Sequence, residues 1–146
     1  MTLQNFQETK SIITMEIIYK TDKKPNIEEI IDVYISSGIR RPVNDKARIQ
    51  KMYEHANLIV SAWHGDTLIG VARSLTDFCY CCYLSDLAVR KEFQHQGIGR
   101  RLIDLTKEKI GSQTTLVLLS APAAMDYYSK IGFEKVTNGY IIHRTQ

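Results

Sequence analysis

The chain has 146 residues, of which 44% are hydrophobic and 24% are charged, values typical of one soluble globular domain spanning residues 1–146. Its 19 basic and 16 acidic residues leave a net charge of +3, too small an excess to indicate a nucleic-acid-binding protein. Because no apolar run reaches the roughly 20 residues of a membrane helix and the first residues lack a secretory pattern, we expect a cytoplasmic protein without a membrane partner.

The first half of the chain predicts a strand followed by two helices. Residues 1–14 are polar and weakly patterned, so we expect a loose extension, or a later translation start at Met15. A strand-like run begins at Met15. Asn26 with Glu29 three residues later is a capping-box pattern, which predicts a helix over residues 26–37 that Gly38 ends. A second helix is predicted over residues 45–55.

The second half predicts strands interrupted by two helices. Residues 58–63 and 68–73 are separated by a polar turn with a glycine, which is typical of a hairpin. The clearest helix begins near Gly97 and ends at Gly111, with apolar residues at helical spacing. The other predicted elements are strands at residues 80–89, 115–119, 133–136 and 140–143 and a helix from Pro122 to about residue 131. This order predicts an α/β fold in which helices pack on a mixed sheet.

Three cysteines, Cys79, Cys81 and Cys82, lie in one short segment. An odd and clustered set is not typical of a disulfide framework. The four histidines are too scattered to complete a zinc site, so we expect no metal. Reduced thiols buried in a strand are the expected state of these side chains.

The segment before the clearest helix predicts an anion site. Gly97 and Gly99 lie where the helix begins, and the first turn of a helix presents backbone amides without internal partners. Because glycine lets an oxyanion approach closely, amides from about Gln94 to Arg100 are predicted to form a diphosphate cradle. A Gly-x-Gly alone is equally consistent with a compact helix start. Leu102 replaces the third glycine of the dinucleotide fingerprint, and the Gly-Lys-Ser/Thr of a P-loop is absent.

Two motifs together resemble the GCN5-related N-acetyltransferase (GNAT) superfamily. The run Gln94-His95-Gln96-Gly97-Ile98-Gly99 resembles its Q/R-x-x-G-x-G/A signature. The run Tyr127-Tyr128-Ser129-Lys130-Ile131-Gly132-Phe133 resembles its F-Y-x-K-x-G-F closing motif, with tyrosine at the first position. The resemblance extends from about Leu58 to the C-terminus, whereas the first fifty residues match in layout only. It implies a GNAT-like mixed, mainly antiparallel sheet with a splayed parallel strand pair and about four flanking helices.

The resemblance also implies a reaction and the residues that carry it. Acetyl-CoA is the expected co-substrate, and an amine of a small molecule or peptide is the acceptor. An amide near Leu87 is expected to polarise the thioester carbonyl, and Tyr128 to protonate the leaving thiolate. The implied coenzyme-contacting residues are Leu87, Ala88, Val89, Gln94, His95, Gln96, Gly97, Ile98, Gly99, Arg100, Ser120, Ala121, Ala124 and Tyr128.

The proton acceptor and the acceptor substrate stay open at this stage. Asp86 is the nearest carboxylate by sequence and a candidate catalytic base, and Asp77 precedes the same strand. For both, a structural hydrogen bond is an alternative role, and a water chain is another route for the proton. Arg40 and Arg41 are candidates to bind a carboxylate or phosphate of the acceptor, or are solvated residues of a turn.

Two other functions are consistent with the same motifs. A non-catalytic acyl-CoA-binding sensor or interaction module needs the cradle but not Tyr128. A transferase that uses a longer acyl-CoA has the same cradle and the same tyrosine. Because dimers are common in the superfamily, the resemblance also implies a homodimer.

Overall fold

Five strands and four α-helices make up residues 16–146, the part of the chain that the computed structural model describes. The expected loose extension therefore lies outside the described residues. The strands are β1 (Ile17–Lys20), β2 (Leu58–His64), β3 (Thr67–Thr76), β4 (Cys81–Val89) and β5 (Thr115–Val117). The helices are α1 (Ile27–Ser37), α2 (Lys46–Glu54), α3 (Ile98–Ile110) and α4 (Met125–Lys130), with 3-10 turns at Lys91–Phe93 and Pro122–Ala124.

The strands form one mixed sheet in the order β1-β2-β3-β4-β5. The first three neighbouring pairs are antiparallel, whereas β4 and β5 are parallel. Parallel pairing is confined to residues 81–83 of β4 opposite residues 115–117 of β5. Because β4 continues to Val89 while β5 ends at Val117, the two strands part. The predicted mixed sheet, its splayed parallel pair and its four flanking helices are confirmed.

Local signals fix both ends of α1. The Asn26 side chain accepts a hydrogen bond from the backbone N–H of Glu29 at 2.9 Å, as the capping pattern predicts. Gly38 adopts the left-handed conformation at φ 79°, which glycine reaches at low cost, and its N–H donates to the last carbonyls of the helix. The chain therefore turns sharply after α1, and this turn borders the site described below.

The sheet separates two apolar layers. Buried residues of α1 and α2, among them Ile30 and Ile49, pack on one face. Leu102 and Ile103 of α3 pack on the other. At Gly70 of β3, a Cβ atom would lie 3.2 Å from the Leu102 side chain, so the missing side chain is what lets α3 approach the sheet closely. Close packing there fixes where the N-terminus of α3 lies relative to β4.

Several predictions about the second half of the chain were wrong. Residues 133–136 and 140–143 form no strand, and Tyr140 and Ile142 are almost fully exposed. Residue types that favour a strand are not sufficient, because a strand also needs an edge to pair with, and β5 presents only three residues. Of the cysteines expected to be buried, Cys79 and Cys81 are exposed and only Cys82 is buried, because Cys79 lies in the turn before β4 and Cys81 at its first, exposed position.

Candidate active site

A cleft of about 690 Å³ opens where β4 and β5 part. The end of β4 forms one wall, the segment after β5 faces it, and the turn after α1 closes one end. The lining residues are those at positions 37–41, 84, 85, 87–89, 94, 118, 119, 121, 122, 124 and 128. We call this space the β4–β5 cleft.

The ladder between β3 and β4 determines which backbone groups face the cleft. The N–H of Arg90 donates to the carbonyl of Ile69 at 2.8 Å, so these two residues form a hydrogen-bonded pair of the antiparallel ladder. Hydrogen-bonded pairs alternate with non-hydrogen-bonded pairs along the two strands. Leu87 and its partner Ala72 therefore form a non-hydrogen-bonded pair. The N–H and C=O of Leu87 therefore point away from β3, towards the cleft.

Side chains occupy the neighbouring carbonyls on this edge of β4. The carbonyl of Ser85 accepts from Arg41 Nη2 at 2.7 Å, and that of Val89 accepts from Gln94 Nε2 at 2.9 Å. Leu87 lies between these two positions, and no described residue takes its cleft-facing backbone groups. An extended ligand can pair with this backbone as a strand would.

The loop before α3 is held in an unusual conformation. His95 has a positive φ of 64°, which costs a non-glycine residue about 1 kcal/mol or more. Gly97, the N-cap of α3, has φ 80°, and a Cβ built there would meet no atom of residues 16–146 within 4 Å. Open space therefore lies in front of the helix start.

This helix start fits an anion such as a diphosphate. No side chain of the described residues caps α3, and no acidic residue lies in its first turn. The first backbone bond of the helix runs from Arg101 N–H to the Gly97 carbonyl, so the amides of Ile98, Gly99 and Arg100 have no acceptor among the described residues. This helix start is a positively charged site, because the unpaired amides, the helix dipole and the charges of Arg100 and Arg101 all lie there.

Tyr128 belongs to α4 and lines the cleft. Its ring packs edge-on against Phe133 and Tyr127, with centroid distances of 5.5 and 5.3 Å. Burial, and to a lesser extent the neighbouring Tyr127, raise the pKa of the Tyr128 phenol above its usual value. The hydroxyl is therefore protonated at neutral pH and can donate a proton into the cleft.

Asp86 is the centre of a buried polar cluster, which also contains Tyr34, Tyr53, Arg41 and Arg73. Its fully buried carboxylate accepts from Arg41 Nε and Arg73 Nε and from the Tyr34 hydroxyl at 2.8 Å. Burial alone raises the pKa of this carboxyl, but the hydrogen bonds and charges of the two arginines outweigh it, so the net pKa is lowered. Asp86 does not line the cleft, and this arrangement favours the structural alternative over a catalytic base.

Asp77 also has a structural environment. Its carboxylate accepts from the backbone N–H groups of Cys79, Tyr80 and Cys81 at 2.8–3.0 Å in the turn between β3 and β4. These hydrogen bonds lower the pKa of the carboxyl. Asp77 does not line the cleft, and so its geometry gives it no role in proton transfer there.

The predicted site residues lie in three places. Seven line the cleft, namely Leu87, Ala88, Val89, Gln94, Ala121, Ala124 and Tyr128. Arg100 and Ser120 line a neighbouring hollow of about 560 Å³, to which Tyr128 also contributes. His95, Gln96, Gly97, Ile98 and Gly99 form the loop and helix start that follow Gln94.

Some parts of the site had no clear signal in the sequence. Leu118 and Leu119 extend the apolar run of β5 and look like strand residues, yet they form the wall of the cleft. The Asp86 cluster joins residues far apart in the chain. The one sequence signal for this cluster is Arg73, a charged residue in a largely apolar strand. A buried arginine needs a buried partner, and here that partner is Asp86.

Residues 16–146 contain neither a cluster of metal-ligating side chains nor a helix able to cross a membrane. Among those residues, no group of three or more metal-ligating side chains comes together. The helices of the described region are also too short or too polar to cross a membrane.

Comparison with known proteins adds a family to this geometry. Residues 32–141 match a family model described as an acetyltransferase (GNAT) domain. The "Uncharacterized N-acetyltransferase ycf52" of Pyropia yezoensis is 23% identical over 131 residues, which are 85% of this chain and 74% of the relative. The "Histone acetyltransferase TAP1" of Glycine max is 28% identical over 150 residues, covering 84% of this chain and 64% of the relative.

Solved structures share the fold. A GNAT-family acetyltransferase from Streptococcus pneumoniae has a TM-score of 0.71 at 22% identity, covering 90% of this chain and 100% of its own. The aminoglycoside N-acetyltransferase AAC(6')-Iy in complex with CoA has a TM-score of 0.67 at 14% identity, covering 90% and 96%. The overall fold is thus common to this chain and to a protein whose structure contains CoA.

Proposed function

Because the chain belongs to the GNAT acetyltransferase family, we propose that it transfers the acetyl group of acetyl-CoA directly to an amine. The observation that carries this proposal is the backbone of Leu87, which faces the β4–β5 cleft without a partner among the described residues. The unpaired amides at the start of α3 and the hydroxyl of Tyr128 belong to the same surroundings. Together they supply an anion site, a strand-like pairing edge and a proton donor.

The cradle and the edge of β4 serve to bind the coenzyme. Amides from Gln94 to Arg100 hold the diphosphate, with the long-range charge of Arg101 beside them. The pantetheine arm lies along β4 and pairs with the backbone of Leu87. Ser120, Ala121 and Ala124 border the opposite side of the arm, with the side chains of Ala88 and Val89 on the β4 wall.

The chemistry is a direct attack of the amine on the thioester carbonyl. A C–N bond forms and the C–S bond breaks, so that coenzyme A leaves as a thiolate. The N–H of Leu87 stabilises the negative charge on the carbonyl oxygen, and Tyr128 donates its proton to the sulfur. The attacking amine loses one proton in the reaction, and this proton returns to the Tyr128 phenolate directly or through water.

The charge of the cleft favours the reactive form of the amine. No carboxylate or imidazole lines the cleft in the part of the chain that the structure describes. Arg40 and Arg41 line it instead, and nearby positive charge lowers the pKa of an ammonium group. A water chain is the route by which the released proton leaves, in place of a carboxylate base.

Turnover measurements test this function. Purified protein should release free coenzyme A from acetyl-CoA when a panel of amines is supplied, and calorimetry should detect CoA binding without any amine. CoA binding with no release on any amine identifies a sensor instead. Mass spectrometry of a co-purified acyl-CoA distinguishes acetyl transfer from transfer of a longer acyl group. The cytoplasmic location and the homodimer stay predictions.

A further inference from the structure

The two arginines of the turn after α1 have different environments. In Arg41, each guanidinium nitrogen donates a hydrogen bond: Nε to Asp86, Nη1 to the Arg40 carbonyl and Nη2 to the Ser85 carbonyl. The side chain of Arg40 is exposed, and it makes no hydrogen bond or ion pair with any residue in the range 16–146. Arg41 therefore holds the turn in place, and Arg40 is free to meet a ligand.

The region around the cleft carries an excess of positive charge. Within residues 16–146, Asp86 is the single carboxylate bonded to Arg41 and Arg73, so one negative charge faces two positive ones. Arg40 adds a third positive charge at the end of the cleft. No Asp or Glu lines the cleft among the described residues, so two positive charges are left without a counter-ion there.

We propose that Arg40 binds an anionic group of the acceptor, so that the substrate is an amine that also carries a carboxylate or a phosphate. This inference rests on the proposed transferase function. A guanidinium pairs with both groups through two parallel hydrogen bonds, which also orients the amine towards the thioester. Acceptors with several positive charges are repelled by the same field, because like charges brought together in a partly desolvated cleft raise the free energy.

The test compares matched amines that differ in charge. The pairs are 5-aminovalerate with pentylamine and with 1,5-diaminopentane, O-phosphoethanolamine with ethanolamine, and several amino acids with their amides. We expect kcat/KM to be about tenfold or more higher for the anionic member, which corresponds to about 1.4 kcal/mol. A larger rise in kcat/KM for 5-aminovalerate over pentylamine indicates a carboxylate acceptor. A larger rise for O-phosphoethanolamine over ethanolamine indicates a phosphate acceptor.

Variants of Arg40 assign the effect to this side chain. Arg40→Gln should raise KM for the anionic acceptors about tenfold, with little change in KM for acetyl-CoA, and Arg40→Lys should keep part of the preference. Lys51→Gln is the matched control, because Lys51 is an exposed cation of α2 that does not line the cleft. It removes the same charge and should leave the preference unchanged.

Several results would overturn the inference. Equal kcat/KM for neutral, cationic and anionic amines, or a preference that survives Arg40→Gln, rules out selection by Arg40. A rise in KM for acetyl-CoA in Arg40→Gln as large as that for the acceptor places Arg40 against the coenzyme instead. If no amine of any class is acetylated although CoA binds, the transferase function itself fails, and this inference fails with it.

Discussion

Asp86 and Arg41 form a partly buried ion pair that joins β4, one wall of the β4–β5 cleft, to the turn that closes one end of it. Asp86 precedes Leu87, whose backbone faces the cleft from β4. Arg41 follows Arg40, which lines the cleft from the turn after α1. The pair therefore sets the distance between the predicted thioester site and the acceptor side, although neither carboxylate oxygen lines the cleft.

Replacing this carboxylate should destabilise the protein strongly. Asp86→Asn leaves Arg41 and Arg73 without their shared negative partner, and breaking a buried ion pair in this way costs about 3–5 kcal/mol. The free energy of unfolding in urea measures the loss. Glu28→Gln is the control, because its pair with Lys46 is exposed on both sides and should contribute less than about 1 kcal/mol. Similar losses in the two variants would contradict the structural role of Asp86.

The contribution of Asp86 should depend on pH in one direction. The folded state lowers the pKa of this carboxyl, so its stabilising effect is complete above the unfolded pKa of about 3.9 and is lost as pH falls through the lower folded value. Between about pH 7 and pH 4, the free energy of unfolding in urea should be higher for the wild type than for Asp86→Asn by a constant amount. Below about pH 4 this difference should shrink. An advantage that grows on acidification would reverse the sign and reject the ion pair as its source.

Removing the phenol of Tyr128 should slow the reaction. Tyr128→Phe deletes the proposed proton donor but keeps the ring packed on Phe133, so kcat should fall about a hundredfold while KM for acetyl-CoA changes little. Tyr140→Phe is the matched control, since Tyr140 is fully exposed and does not line the cleft, so this variant should retain activity. Coenzyme A release with a fixed amine is the readout, and equal rates in both variants would remove Tyr128 from the mechanism.

The raised pKa of Tyr128 also makes a prediction for the pH profile. A proton donor acts only in its protonated form, and this phenol stays protonated beyond its usual value of about 10. Initial rates between about pH 7 and 9 should therefore show no loss assignable to Tyr128. A descending limb in that range that disappears in Tyr128→Phe would show that the phenol ionises earlier than its burial implies.

A side chain at Gly97 should abolish tight coenzyme binding. Gly97→Leu places atoms in the open space before α3 and strains a residue at φ 80°, so CoA affinity should fall about a hundredfold, or about 2.7 kcal/mol. Gly111→Leu is matched to it, because Gly111 has φ 77° and open space at the opposite end of the same helix. Calorimetry should find CoA binding intact in that control. Unchanged affinity in Gly97→Leu would show that the diphosphate binds elsewhere.

Signals read from neighbouring residues predicted much of this fold. The cap at Asn26, the stop at Gly38 and the helical spacing before Gly111 each act within a few residues, and the structure has the helices there. The two closing strands predicted at residues 133–136 and 140–143 do not form, because a strand depends on a partner edge that the local sequence does not record.

The site was predicted unevenly for the same reason. Backbone amides at a helix start follow from Gly97 and Gly99, which lie two positions apart in sequence. Arg41 and Arg40 have different roles because Arg41 is bonded to Asp86 and Arg40 is not. Asp86 lies 45 positions after Arg41 in the sequence, so this contact leaves no local signal. No pattern around residue 40 shows which of two successive arginines turns inward.

The short pairing of β4 with β5 leaves the sheet without one row of hydrogen bonds beyond residue 83. The pantetheine arm of the proposed coenzyme would pair with the backbone of Leu87 as an additional strand at this edge of β4. Its binding free energy then adds to the stability of the fold, by about 2.7 kcal/mol when the ligand is present at a hundred times its Kd. The melting temperature should therefore rise with coenzyme occupancy, so coenzyme binding can be measured before any acceptor is known.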